Sequence, residues 1–344
     1  MSINVKLFMS DTHACGHIRG EVIARHVNAQ CRNVAMDCVT TASMSGIINA
    51  NVCVFQRAYA PALLVKLDQA RDRGVATIYD IDDDLQNVPE SFRGPHDFYA
   101  KPEVQAGMAA FLKSVDIVTV STEPLADQIA KSTDKPIFVV PNYLDTEMWN
   151  GALIARMQRL LTSKEPTITI GWFASGSHGM DAKMIDDVMA DVMQNPNVRL
   201  AVRGGVTEEC LQKCVAMYPD RVALEPWSEI HSLPYDLVDV DIGIAPLIEH
   251  PFNDCKSNIK WLQYSALGIP SIVSKSLAYK DVANGENGLV AASQEDWFKM
   301  ISLLVVNAQE RHRLGMAACM NVKNRWDMSQ NYKHWVDVFR RAVK

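Results

Sequence analysis

The chain has 344 residues, 48% hydrophobic and 22% charged, which is a globular composition with length for two ordinary domains and excludes one small disulfide-stapled module. Lys and Arg number 34 against 40 Asp and Glu, a formal charge of −6, so the chain lacks the basic footprint of a general nucleic-acid binder. The eight Cys are scattered with no CxxC pair, and only Cys210 and Cys214 stand one helical turn apart, so neither a zinc site nor a disulfide framework is legible and a reducing cytosol fits best.

The opening MSINVKLFMS alternates and meets Asp11 too soon for a signal-peptide core, and no later run is apolar for long enough to span a bilayer. A soluble, cytoplasmic protein is expected. Short β-branched runs then alternate with segments of helical spacing, the pattern of parallel sheets covered by helices. In the first half, strands are predicted over Val5–Met9, Val34–Cys38, Val52–Phe55, Ala76–Asp80, Ile117–Val120 and Ile137–Val140. A helix starting near His17 puts Ile18, Val22, Ile23 and Val27 on one stripe, and another over Ala60–Arg73 stacks Leu63, Leu64, Leu67 and Ala70.

After Pro141 a helical stretch, Glu147–Leu161, leads into the polar run Thr162-Ser163-Lys164-Glu165-Pro166. The division expected is a first domain over 1–146, a linker over 147–166, a second domain over 167–326, and a C-terminal helix over 327–344 packing back on the first. The second half repeats the alternation, with strands over Thr167–Phe173, Arg199–Arg203, Val222–Leu224, Ile242–Ala245, Ser271–Val273 and Gly288–Ala291. Ser293 with Asp296 has capping-box spacing, and an amphipathic tail over Gln330–Val343 carries Trp335, Val338 and Phe339. The fold class is α/β: two Rossmann-like doubly wound domains facing a central cleft, where ligands bind beyond the strand carboxyl ends.

Three segments at such ends carry chemistry. Asp80-Ile81-Asp82-Asp83-Asp84 crowds like charges, which raise one another's pKa unless a cation, a hydroxyl or a helix amino terminus lies nearby; a solvated helix-capping turn and, less favoured, a metal site are the other readings. Ala174-Ser175-Gly176-Ser177-His178-Gly179 exposes backbone N–H groups before a helix, which suits a phosphate and equally suits a plain turn; Ser177 and His178 stand where a Walker loop needs Lys and Ser or Thr. Lys256, Ser257 and Asn258 open a helix on which Lys260 and Gln263 share a face with Lys256. A cation at a helix amino end is locally unfavourable, a conflict that a bound phosphate removes, although a snorkelling surface Lys has the same signature. Trp227, Trp297, Trp326 and Trp335 are read as packing residues, and the 16 Met as core filler.

KSNIKWLQYSALGIPSIVS resembles the KSxxKxxEYxAxGxPVVAS stretch of retaining GT-B glycosyltransferases, and DVANGENGLV resembles their V-x-x-G-x-N-G-L-V turn. IGWFASGSHG is similar to their first donor-domain strand and phosphate loop, IFVVPNYLD to the V-I-P-N-G-V-D entry to the interdomain linker, and VSTEPLADQI to the V-S-x-x-x-x-x-x-L segment before it. These landmarks keep the family's order along nearly the whole chain. The resemblance implies transfer of a sugar from a nucleotide-diphosphate donor to an acceptor hydroxyl, with retention, no metal and no further cofactor. It implies that Ser175, Gly176 and Ser177 face the donor diphosphate, that Lys256 and Ser257 grip it with Asn258 and Lys260, and that His178 or Arg203 replaces the family's loop cations. Gln263 takes the place of a ribose-binding Glu and loses the charge-assisted bond. Gly16, His17 and Arg19 match a G-x-x-R-like loop beneath the cleft, with Gly16, Arg19 and Arg57 toward the acceptor, His17 a catalytic candidate, and Asp82 or Asp83 near the transferring sugar. The acceptor stays open among a glycan, a small molecule, a protein and a hydroxymethylated base of viral DNA; for the last, Arg19, Arg57, Arg93 and Lys101 would line a groove. A sugar-nucleotide epimerase or a non-catalytic nucleotide-sugar-binding protein would share the same fold.

Overall fold

The computed structural model describes residues 2–40, 47, 49–162, 167–174 and 178–343. The predicted β-branched runs form two six-stranded sheets in which every strand pair is parallel. The first holds β1 (Ile3–Met9), β2 (Val34–Thr40), β3 (Val52–Gln56), β4 (Ala76–Ile81), β5 (Ile117–Val120) and β6 (Ile137–Val139) in the order β2-β1-β3-β4-β5-β6. The second holds β7 (Ile168–Ala174), β8 (Val198–Gly204), β9 (Val222–Glu225), β10 (Ile242–Ala245), β11 (Ser271–Ser274) and β12 (Leu289–Ala291) in the order β12-β11-β10-β7-β8-β9. The order reverses between β1 and β3 in one sheet and between β7 and β10 in the other, and these switch points open crevices at the carboxyl ends. All five residues of β3 are buried, because helices cover both faces of its sheet.

The helices that position the site are α1 (Val22–Gln30), α2 (Pro61–Asp72), α3 (Pro102–Ser114), α4 (Thr146–Thr162), α5 (Gly179–Val192), α6 (Ile259–Ala266), α7 (Gln294–Val306), α8 (Ala308–Arg325) and α9 (Met328–Ala342). Helical winding begins at Ala14, earlier than the predicted start near His17, and a π turn over His17–Glu21 precedes α1. His17 and Glu21 open and close that turn, and their i,i+4 spacing puts the two side chains together. α7 is capped by Ser293 as its spacing predicts: the Asp296 N–H donates to Ser293 Oγ at 3.1 Å, and Asp296 Oδ2 reaches one residue past the cap to accept from the Ala292 N–H at 3.0 Å.

One apolar cluster runs through both halves of the molecule and includes Trp149, Trp261, Trp326 and Trp335, whereas separate clusters fill the outer side of each sheet. α9 packs against α1 and under β1 and β4, burying Trp335, Val336, Val338 and Phe339. The chain reaches it through a short parallel bridge: the Leu144 N–H donates to the Trp326 carbonyl at 2.9 Å and the Met328 N–H to the Leu144 carbonyl at 2.8 Å. Among the described residues no helix is long and apolar enough to cross a membrane.

Candidate active site

A cavity of about 650 Å³ lies between the carboxyl ends of the two sheets. The first sheet contributes Asp11 and Cys15 after β1, Arg57 after β3, Asp82 and Asp83 after β4, and Asn142 after β6. The second contributes Phe173 from β7, Arg203 from β8, Trp227 after β9, and Lys256, Ser257, Lys260 and Gln263 at the start of α6.

The acidic run distributes its charges among separate partners. Asp80, 0% exposed, accepts from Arg19 Nε at 3.1 Å and Nη2 at 2.5 Å, and from the Thr119 hydroxyl at 2.7 Å. Asp82 is paired with Arg57, whose guanidinium outweighs the upward push of burial and holds that carboxyl below its ordinary range. Arg57 adopts φ 45°, a left-handed conformation uncommon outside glycine, and its N–H donates to the Asp80 carbonyl at 2.9 Å. Asp84 accepts from the Asn87 amide at 2.9 Å, and burial raises its pKa. Asp83 faces the cavity with Lys256 Nζ 3.4 Å from Oδ2, while its Oδ1 is buried with no hydrogen-bond partner. Of the four carboxylates, Asp83 has this acceptor capacity left over.

Opposite lies the cationic wall. Lys256 Nζ sits 4.5 Å above the Phe252 ring and extends to Asp83. Lys260, one helical turn later, donates to His178 Nε2 at 2.9 Å; His178 Nδ1–H donates to Asp181 Oδ2 at 2.6 Å, and Asp181 Oδ1 accepts the Ile248 N–H at 2.7 Å. Burial and the two lysines push the His178 pKa well below its ordinary value, so the ring is neutral, and the network fixes its tautomer. Burial raises Asp181 to about 6. Burial, followed by the charge of Lys256, lowers Lys260 to about 8. Two ammonium groups at one wall of a concave site are mutually unfavourable until an anion arrives.

A polar chain crosses the cleft. Arg19 Nη1 donates to the Val140 carbonyl at 2.6 Å and to Asn142 Oδ1 at 3.1 Å, and the Asn142 amide donates to Ser257 Oγ at 2.9 Å. On the second side Arg203 is held by Glu225 at 2.5 Å and Asp236 at 3.4 Å, so its charge is already countered. Gly204, at φ 120°, ends β8 where a Cβ would run into the Ala174 carbonyl, and Trp227 closes over it.

Solved structures resemble this chain from end to end. The Anabaena protein HepE in complex with UDP and glucose matches over 98% of this chain and 100% of its own, with TM-score 0.71 at 11% identity. A sucrose-phosphate synthase from Thermosynechococcus elongatus matches over 98% of both chains, with TM-score 0.73 at 13% identity. The catalytic domain of starch synthase IV from Arabidopsis thaliana, bound to ADP and acarbose, matches over 99% of both, with TM-score 0.70 at 8% identity. The chain has the GT-B fold. No family model matches the sequence, and no curated protein matches it by sequence.

In GT-B terms the cleft between the lobes brings together Arg57, Asp82, Asp83, Arg203, Lys256, Ser257, Lys260 and Gln263 of the residues singled out by sequence. Ser175, Gly176 and Ser177 lie outside the described residues. Five others stand off the cavity. Arg19, 1% exposed, spends its guanidinium on Asp80, Val140 and Asn142 and faces no acceptor. Gly16 serves the turn at Asp11: a Cβ there would strike the Asp11 carbonyl, and its N–H donates to Asp11 Oδ1 at 3.1 Å. His178, 2% exposed, stands behind Lys260; Asn258 turns toward Asp281, at 3.4 Å; and His17 contacts Glu21 and His231 at the rim. The four-residue basic groove does not assemble, because Arg19 is buried, Arg57 is bound to Asp82, and neither Arg93 nor Lys101 lines the cavity. Trp227 corrects the packing assignment: it is 62% exposed on the cavity wall. Asn142 stands in the IFVVPNYLD landmark, which marked the entry to the linker without giving this side chain a role; its place just beyond a strand end was the signal for the cleft.

Proposed function

We propose that this protein is a glycosyltransferase that moves a sugar from a nucleotide-diphosphate donor to an acceptor hydroxyl, with retention of configuration. The observation that carries the reading is the Lys256–Lys260 wall, with Lys260 lowered to about 8 and, among the described residues, no carboxylate besides Asp83 within salt-bridge reach of Lys256. A diphosphate placed there relieves the repulsion between the two ammonium groups, and as sugar departs, the charge that accumulates on the leaving phosphate is stabilised by groups already in position. The neutral His178, held by Asp181, keeps Lys260 aimed at the cavity. Trp227 offers an exposed face for the nucleotide base, and Gln263 offers its amide to the ribose.

Across the cleft, the Asp83 carboxylate lines the cavity, accepts a hydrogen bond from the acceptor hydroxyl and faces the positive charge that develops on the sugar. Asp82, pinned to Arg57, keeps a fixed negative charge beside it. The acceptor proton passes to the leaving phosphate oxygen, so the balance is one glycosidic bond broken, one formed, and one proton delivered to the nucleoside diphosphate. The first lobe, 1–146, takes the acceptor, a glycan, a small molecule or a modified DNA base; the second, 167–326, takes the donor; 147–166 links them, and 327–344 braces the first lobe. Chemistry of this kind on soluble donors belongs in the cytoplasm, and it asks for no metal or further cofactor.

HepE is solved with UDP and glucose, and starch synthase IV with ADP, so UDP- and ADP-sugars head the donor screen, followed by GDP- and dTDP-sugars. The test is thermal shift with each donor, then slow donor hydrolysis with the product anomer read by NMR. One donor is expected to raise the melting temperature and to release the sugar with its configuration kept. Failure of every donor to bind contradicts the proposal.

A further inference from the structure

At the rim of the cleft, outside the cavity lining, three ligand-type side chains converge from the two lobes. His17 and Glu21 project from the π turn, with His17 Nδ1 3.0 Å from Glu21 Oε2, and His231 comes from the loop after β9. The rings of His17 and His231 meet edge to face, with centroids 5.2 Å apart. One nitrogen from each ring and one Glu21 oxygen all lie within 4.8 Å of one another.

His17 supplies a second, independent observation. Its side chain is 7% exposed, and its Nε2 is buried with no hydrogen-bond partner. Nδ1 is the nitrogen turned to Glu21, so with an ion bound Nδ1 gives the lone pair and Nε2, which no other group engages, keeps the ring proton. Arg25, one helical turn on from Glu21, is paired with Asp145.

We propose that His17, Glu21 and His231 form a site for a divalent transition-metal ion of the zinc class, joining the two lobes at the mouth of the cleft. Two imidazoles and one carboxylate suit zinc and its neighbours in the first transition row, and are a poor set for magnesium or calcium, which take oxygen ligands. Metal–ligand distances of about 2.1 Å require ligand atoms about 3.4 Å apart in a tetrahedral site, so the His17–Glu21 pair is already spaced and His231 has about 1.4 Å at most to travel. That movement draws the segment from Trp227 to His231 toward the first lobe. The ion is a clamp on the cleft and takes no part in the transfer chemistry, so the inference stands whether or not the proposed donor is correct.

The test is titration of the chelator-treated full chain with Co²⁺, read by d–d absorption, with displacement by Zn²⁺, for wild type, His231→Ala and Glu21→Ala. Both substitutions are at exposed positions, so folding is kept, and circular dichroism checks it. The expected result is one equivalent bound in the wild type without a thiolate charge-transfer band, at least tenfold weaker binding in each variant, and a melting temperature raised by Zn²⁺ only in the wild type. No saturable absorption in the wild type, a thiolate band, or equal affinity in all three proteins overturns the proposal.

Discussion

Replacing Lys260 with Met probes the cationic wall through its titration. In the free protein Lys260 is lowered from 10.5 to about 8 by burial and by the charge of Lys256. A bound diphosphate restores the charged form, so the bound pKa lies above the free one; affinity is full below pH 8 and is lost as pH rises through it. With the bound value returned to the ordinary lysine range, the donor dissociation constant weakens about tenfold between pH 7 and pH 9. The same linkage has the complex take up about 0.1 proton at pH 7 and about 0.9 at pH 9. The terminal phosphate, with its second ionisation near 6, is about nine-tenths ionised at pH 7 and fully ionised at pH 9, so the proton uptake is read at pH 9, where the phosphate adds nothing. The assay is isothermal titration with the nucleoside diphosphate of the preferred donor, at constant ionic strength, in two buffers of different ionisation enthalpy. Lys260→Met is expected to bind more weakly at pH 7 and to lose both the slope and the proton uptake. A flat wild-type profile, or a variant with the same slope, refutes the assignment of Lys260 to the anion site.

Asp83→Asn is expected to lower turnover by roughly 10² to 10⁴ while changing the donor dissociation constant by less than about threefold, since it removes the acceptor-side carboxylate; paired kcat and donor-binding measurements check it. Arg19→Ala leaves Asp80 buried without its partner and is expected to lose about 3–5 kcal/mol in urea unfolding, far more than an exposed acceptor ligand would cost. Trp227→Ala is expected to weaken nucleotide binding by about 1–3 kcal/mol and leave the melting temperature nearly unchanged, because the ring is exposed and its value is in stacking.

All twelve strands were legible in the sequence, because buried parallel strands are written as short β-branched runs such as Val52-Cys53-Val54-Phe55 with turn residues on either side. The cleft followed, since parallel strands in two sheets put their carboxyl ends somewhere definite. What stayed hidden is what depends on partners far along the chain. Arg19 and Asp80 are 61 residues apart, Asn142 and Ser257 are 115, and no local pattern says that Arg19 is consumed inside the first lobe while Arg57 reaches the cavity. The same blindness applied to the acidic run: its crowding was visible, but the division of Asp80, Asp82, Asp83 and Asp84 among four separate partners is a tertiary fact. Trp227 misled because an aromatic after a strand normally packs; here Gly204 brings the backbone close and leaves the ring on the wall. The π turn had no signature, since His17 and Glu21 read equally well on an ordinary helix.

The central claim is that Lys256 and Lys260 hold a diphosphate between the lobes, and its most direct measurement compares a nucleoside diphosphate with its parent nucleoside on wild type and Lys256→Ala at pH 7. The account predicts that the variant binds the diphosphate at least about thirtyfold more weakly, the loss expected on removing a partly buried charge partner, while nucleoside binding is unchanged. Equal diphosphate affinity in the two proteins contradicts it.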